Sequence, residues 1–127
     1  MRRTDAAALA LAGLLMFAGI AHFAAPDNFD AIIPHLLPGP RRAWTNASGA
    51  TEITLAAGFA WRVTRRFAAT LTGVFFVLVF PANIQMVVDS VPGTSDFVLA
   101  LVRLPLQVPL IWWAWHVRNQ ADRTDQR

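Results

Sequence analysis

The sequence predicts an all-α integral membrane protein, a four-helix bundle with both termini in the cytoplasm. The 127 residues are 55% hydrophobic and only 15% charged. Four apolar stretches each approach the roughly 20 residues that a helical membrane crossing needs. The strongly polar residues inside these stretches fall at one depth, and most arginines lie at one end of them. Four crossings use most of the chain, so we expect a single transmembrane domain over residues 1–127.

The first crossing is predicted at about residues 6–24. This stretch is rich in alanine and leucine and contains Gly13 and Gly19. Small residues let helices approach closely in lipid, so this helix should pack tightly. The apolar stretch follows two arginines, as in a secretory signal peptide, but no small-x-small cleavage triplet follows it. We therefore expect the first crossing to be retained.

The remaining elements follow from prolines, hydropathy and tryptophans. Four prolines in residues 25–42 exclude a long helix, although apolar residues lie between them, so this segment is predicted to be a re-entrant or interfacial loop. Further crossings are predicted at 43–60, 67–88 and 97–117, and a polar tail follows at 118–127. The five tryptophans lie near the ends of these stretches, where the membrane interface favours them.

The arginines predict the orientation. The chain has no lysine, and most of its 11 basic residues lie at the end of the helices that carries both termini: Arg2, Arg3, Arg62, Arg65, Arg66, Arg118, Arg123 and Arg127. Only Arg41 and Arg42 lie at the opposite end. Because cytoplasmic loops carry the excess of basic residues, both termini should be cytoplasmic. The arginines form no continuous basic face with interleaved aromatics, so no nucleic-acid partner is expected.

Six polar side chains within the crossings form the candidate site. They are His22, Glu52, Asn83, Gln85, Arg103 and Gln107. When the helices alternate in direction, all six fall in the outer half of the bilayer. Ionisable groups in hydrocarbon are costly and usually face a bundle interior or a cavity. Arg103 is the predicted partner of Glu52, and the alternative is that this pair only fixes the helix register.

Three prolines predict helix kinks near this cluster. Pro81, Pro105 and Pro109 each lack an amide donor, which should leave the carbonyls of Val77, Leu101 and Pro105 without their usual partners. Polar side chains, water or a ligand would then have to satisfy these carbonyls. The alternative is that the prolines only shape helix packing. Cysteine is absent, which excludes disulfides and thiolate ligands, and the three histidines lie at different depths, so no metal site is expected.

Three short segments carry a family resemblance. They are Gly19 to Phe23 (GIAHF), Phe80 to Asn83 (FPAN) and Arg103 to Gln107 (RLPLQ), combined with the acidic Glu52. Within roughly residues 13–117 the chain resembles the DoxX-like family of small four-helix bacterial membrane proteins. The resemblance implies a location in the bacterial plasma membrane and a loose link to respiratory or redox systems. It also implies that the functional residues are the candidate site residues other than Gln85, namely His22, Glu52, Asn83, Arg103 and Gln107.

Three functions remain open at this stage. The first is a small accessory or scaffold protein that associates with a larger membrane complex, which could be respiratory, or with copies of itself. The alternative is a redox-associated subunit whose outer-leaflet cavity binds a quinone-like ligand. The second alternative is transport of a small solute or proton by an oligomer. No intrinsic cofactor and no independent catalysis are expected, and the lipid bilayer is a partner in every case.

Overall fold

The computed structural model describes residues 3–126, apart from the side chains of Thr4 and Asp125. Within this range the chain is helical and contains no strand, which confirms the all-α prediction for the described residues. The helices are α1 (Arg3–Ala24), α2 (Pro26–Asp30), α3 (Arg41–Gly58), α4 (Arg62–Leu78), α5 (Phe80–Asp89) and α6 (Ser95–Asp125).

Three helical stretches in the described part of the chain are long and apolar enough to cross a membrane. They are Asp5–Ala24, Arg62–Asp89 and Ser95–Thr124. Together they indicate a multi-pass membrane protein. Helix α3 has 18 residues but is not in this set, because arginine, threonine, asparagine, serine and glutamate lower its mean hydropathy. The segment expected as a second crossing, 43–60, is therefore helical but too polar to qualify by composition.

Helices α1 and α3 form one tightly packed pair, and α4 and α6 form another. The buried core between the pairs includes Leu11, Leu15, Phe59, Phe76 and Val117. Within the first pair the backbones approach closely at two glycines. A Cβ atom built on Gly49 would lie 2.7 Å from the Cβ of His22, and one built on Gly19 would lie 2.9 Å from the carbonyl oxygen of Gly49. Glycine is needed at this crossing because any side chain would push the helices apart.

One end of the bundle is joined by ion pairs. Asp5, near the start of α1, lies 2.7 Å from Arg65 and 3.0 Å from Arg62 at the start of α4. Arg66 lies 2.5 Å from Asp122, near the end of α6. The starts of α1 and α4 and the end of α6 therefore lie together. The contact of Arg66 lies within the predicted tail at 118–127, where α6 continues to Asp125 instead of ending near Val117.

The prolines act differently from one another. The predicted third crossing is divided into α4 and α5 at Val79, two residues before Pro81. Pro81 lies in the first turn of α5, where a missing amide donor costs little. By contrast, α6 runs without interruption through Pro105 and Pro109.

Residues 25–40 form a strap across the opposite end of the bundle, consisting of α2 and a series of turns. Side chains of α3 hold the strap in place. Arg42 bonds Asp27 at 2.6 Å and Asp30 at 2.8 Å, and the Thr45 hydroxyl donates to Asp30 at 2.5 Å. The indole of Trp44 also donates to a strap carbonyl, 2.7 Å away. The predicted interfacial loop is thus an ordered element fastened to the start of α3.

Candidate functional site

A cavity of about 270 Å³ lies between the helices beneath the strap. Its polar lining consists of His22, Ser48, Glu52, Asn83, Arg103 and Gln107. Five of the six predicted site residues therefore line one space. Most of the exposed cavity wall is apolar, which is typical of sites that hold a small organic molecule with a few polar contacts.

The strap forms part of the cavity wall. Phe29, Ile32 and Ile33 of the strap line it, and Ile33 is buried. The Phe29 ring stacks on the imidazole of His22 with the ring centroids 3.8 Å apart. These three residues were not among the predicted site residues. In the sequence, only the apolar residues between the prolines indicated that this segment packs against the helices.

The innermost charged group of the cavity, Glu52, is paired with His22. Nδ1 of His22 lies 3.0 Å from Oε2 of Glu52 and 2.8 Å from the carbonyl oxygen of Ala18. Because a carbonyl oxygen only accepts hydrogen bonds, the short distance to Ala18 assigns the proton to Nδ1. The proton is directed at Ala18, so Oε2 of Glu52 has a donor nearby but no aligned hydrogen bond. The donor nearest to Glu52, the N–H group of His22, is therefore already bonded to the carbonyl of Ala18.

The local sequence explains why these two side chains meet. His22 follows Gly19 by three residues, and Glu52 follows Gly49 by three residues. Residues three apart lie on the same face of a helix. The two helices run antiparallel, so the close crossing places His22 against Gly49 and the neighbour of Glu52, Ile53, against Gly19. The imidazole of His22 points back toward Ala18 and in this way reaches Glu52, one turn beyond Gly49 on α3.

Glu52 was expected to pair with Arg103, and the structure differs. The guanidinium of Arg103 is exposed and lies 3.5 Å from the sulfur of Met86. None of the ion pairs among residues 3–126 includes Arg103. The reason is the packing order: α1 lies directly against α3, so His22 reaches Glu52 first. Arg103 still lines the same cavity and has no carboxylate within ion-pair distance in the described chain.

Two amide side chains link α5, α6 and the end of α4. Asn83 donates to the Oε1 of Gln107 at 3.0 Å, and Gln107 donates to the carbonyl oxygen of Phe76 at 2.5 Å. The amides that close α4 bond the carbonyls of Phe75 and Val77. Gln107 therefore supplies a donor to the carbonyl that lies between these two. The carbonyl of Val77, predicted to be free, accepts a backbone amide in the structure, and the side-chain donor bonds Phe76 one residue earlier.

Gln85 lies outside the cavity. Its amide donates to Asp89 one turn later on α5, at 2.9 Å. It is not among the residues that line the cavity. Its position two residues after Asn83 turns it to a different face of α5. It is therefore a suitable position for control substitutions.

The strap carries its own electrostatic feature outside the apolar helices. The Thr45 hydroxyl donates to Asp30, and the Arg42 guanidinium lies beside it, so the pKa of Asp30 is lowered below its usual value. Ionisation of Asp30 therefore strengthens the attachment of the strap to α3.

A family model matches residues 11–118, which include the cavity, the strap and all of α3. The family is described as a domain of unknown function, DUF8561. The chain belongs to the DUF8561 family. No curated protein and no solved structure matches it. The DUF8561 match does not link the chain to the DoxX-like family, so that resemblance stays a prediction.

Proposed function

We propose that this DUF8561 protein binds a small amphipathic ligand of the quinone class in the cavity beneath the strap. The observation that supports this proposal is the convergence of His22, Glu52, Asn83, Arg103 and Gln107 on one largely apolar cavity. We further propose that the protein lies in a bacterial plasma membrane, where such ligands dissolve. The resemblance to the DoxX-like family is consistent with a redox association.

The membrane arrangement that we propose has four crossings. Helix α3 is added to the three apolar stretches and is the second crossing in chain order. The pairing of Asp5 with Arg65 places the starts of α1 and α4 at one end of the bundle. The chain must therefore return along the bundle between them, and the 18 residues of α3 span about 27 Å. Thr51 and Thr54 are exposed on α3, but their hydroxyls bond carbonyls of their own helix, which suits a lipid-facing surface.

The proposed orientation places both termini in the cytoplasm. The end of the bundle that contains the Asp5 and Asp122 ion pairs also carries most of the arginines. Basic residues accumulate in short loops on the cytoplasmic side of the membrane, and acidic residues have little influence on the orientation. The cavity and the strap would then lie in the outer half of the bilayer.

The size of the cavity and its free donors support the ligand class. A volume of about 270 Å³ is near the lower end for small-molecule sites, so it accommodates a substituted ring but not a long chain. Arg103 has donors without a carboxylate partner in the described chain, and a carbonyl oxygen would accept from them. The apolar part of the ligand would extend between the helices toward lipid.

Replacing Arg103 with glutamine tests this proposal. We expect Arg103→Gln to insert and fold normally, since the exposed guanidinium forms no ion pair among the described residues. The affinity for a short-chain benzoquinone should fall about tenfold or more, as expected for loss of a charged hydrogen bond. Titration calorimetry of the protein in lipid nanodiscs measures this affinity. Gln85→Leu, outside the cavity, is the matched control, and equal affinity in the two variants would contradict the proposal.

An accessory or scaffold function is the second candidate, and one observation favours it. Asn83 and Gln107 bond each other and the backbone of Phe76, as polar groups do when they serve only to fix helix packing. Native mass spectrometry of protein released gently from its own membrane separates the two candidates. A small-molecule adduct that Arg103→Gln loses would favour ligand binding. Bare protein, found only as an oligomer or with a larger polypeptide, would favour the scaffold.

A further inference from the structure

Glu52 has an unused capacity to accept a hydrogen bond inside the cavity. The residue is only 8% exposed, and no donor in the described chain makes a well-aligned hydrogen bond to its Oε2 atom. The nearest donor, Nδ1 of His22, is 3.0 Å away, but its proton is directed at the carbonyl of Ala18 at 2.8 Å. A buried carboxyl oxygen without an aligned donor is costly. A ligand that donates to this oxygen would remove the cost.

None of the other polar side chains that line the cavity, Ser48 included, donates to this oxygen. The Asn83 amide donates to Gln107, and the Gln107 amide donates to Phe76. The Arg103 guanidinium lies against Met86. The cavity therefore presents an acceptor at Glu52 and spare donors at Arg103. A complementary ligand carries a donor for the first and an acceptor for the second.

We infer that the ligand binds through a hydroxyl group that donates to Glu52, so that the cavity holds the hydroxyl form of a quinone-class compound more tightly than the carbonyl form. This inference rests on the proposed function and specifies which form of the ligand is bound. A carbonyl oxygen placed against Glu52 would bring two acceptors together, whereas a phenolic hydroxyl donates to it. The second hydroxyl oxygen of a hydroquinone can still accept from Arg103.

Three matched compounds test the inference without any substitution. They are a short-chain benzoquinone, the corresponding hydroquinone, and the dimethyl ether of that hydroquinone, which has lost both donors. Affinities are measured by titration calorimetry under anaerobic conditions with the whole chain in lipid nanodiscs. We expect the affinity for the hydroquinone to be at least about tenfold higher than the affinity for either of the other two compounds. This is the difference expected from one hydrogen bond to a carboxylate.

The variant Glu52→Gln provides the second measurement, because its amide can donate as well as accept. We expect the preference for the hydroquinone to disappear in Glu52→Gln and to persist in the control Gln85→Leu. Equal binding of all three compounds to the unaltered protein would overturn the inference but leave the proposed function standing. Tighter binding of the benzoquinone would also overturn it, since Glu52 would then be acting as a donor. Absence of binding by all three would overturn the proposed function and the inference with it.

Discussion

At the residue scale, Gly49 is a position where a single methyl group should disturb the pairing of α1 with α3. A Cβ atom there would lie 2.7 Å from the Cβ of His22 and 2.9 Å from the ring of Phe23. Overpacking of this kind costs about 1 to 3 kcal/mol. We therefore expect Gly49→Ala to lower the free energy of unfolding by that amount, measured by denaturation in mixed detergent micelles.

Gly13→Ala is the matched control for this substitution. A methyl group at Gly13 would meet no atom of the described chain within 4 Å, apart from its own helix backbone and chain neighbours. Alanine favours a helix over glycine by about 1 kcal/mol, so this variant should be neutral or more stable. Equal destabilisation of both variants would show that the close approach at Gly49 is not the cause.

Gln107 shows how the structure changes a prediction that the sequence supports. From the sequence, Gln107→Leu should remove a ligand contact and leave folding intact. In the structure Gln107 is 4% exposed and satisfies the buried carbonyl of Phe76. We expect Gln107→Leu to lower the free energy of unfolding by about 1 to 3 kcal/mol, the cost of an unsatisfied buried group. Thermal unfolding of this variant beside Gln85→Leu measures the difference, and equal midpoints would contradict the assigned role.

The polar residues of the site could be found from the sequence, but their pairing could not. The cost of polar groups in hydrocarbon identifies His22, Glu52, Asn83, Arg103 and Gln107 without any structure. Their partners depend on which helices lie in direct contact, and charge alone favours an arginine over a histidine. The signal that was available was the matched spacing of glycine and polar residue on α1 and α3.

At the element scale, the strap should detach from α3 in acid. Because Thr45 and Arg42 lower the pKa of Asp30, the ionised form is favoured when the strap is attached. This contribution is fully present above the usual pKa of an aspartate, about 4, and is lost as the pH falls below it. We expect amide hydrogen exchange in residues 25–40 to accelerate in this range, when intrinsic exchange rates are taken into account.

Thr45→Val provides the matched comparison, since it has nearly the same shape but no hydroxyl. Thr45 is the principal cause of the lowered pKa of Asp30. The acid transition of the strap should therefore move to higher pH in Thr45→Val, closer to about 4. An unchanged transition would show that another group controls the attachment.

The elements illustrate a different limit of sequence reasoning. A proline in the sequence marks a position where an amide donor is missing, but it does not predict at which residue the helix is interrupted. At Pro81 the chain breaks two residues earlier, at Val79, because a proline in the first turn of a new helix loses little. At Pro105 and Pro109 the helix continues. The predicted end of α6 near Val117 was also too early, because the hydropathy of a stretch marks where its apolar part ends and not where the helix ends.

At the scale of the whole molecule, the proposed four crossings predict which loops share a side of the membrane. The chain contains no cysteine, so single cysteines can be introduced and labelled without further changes. In intact cells, an impermeant thiol reagent should label cysteines that replace Leu36 in the strap and Pro92 between α5 and α6. Cysteines that replace Trp61 and Arg123 should be labelled only after the membrane is opened. Labelling of the variant Arg123→Cys in intact cells would exclude a cytoplasmic carboxyl terminus and with it the proposed topology.

The ion pairs of Asp5 have a consequence for biosynthesis. Asp5 emerges from the ribosome 57 residues before Arg62 and 60 before Arg65. The first helix therefore leaves the ribosome before either of these two arginines has been made. In the proposed topology both arginines would contribute their positive charge to the orientation of α4, because pairing with Asp5 requires α1 and α4 to be side by side already. The same two residues would then first orient α4 and afterwards join it to the helix that preceded it.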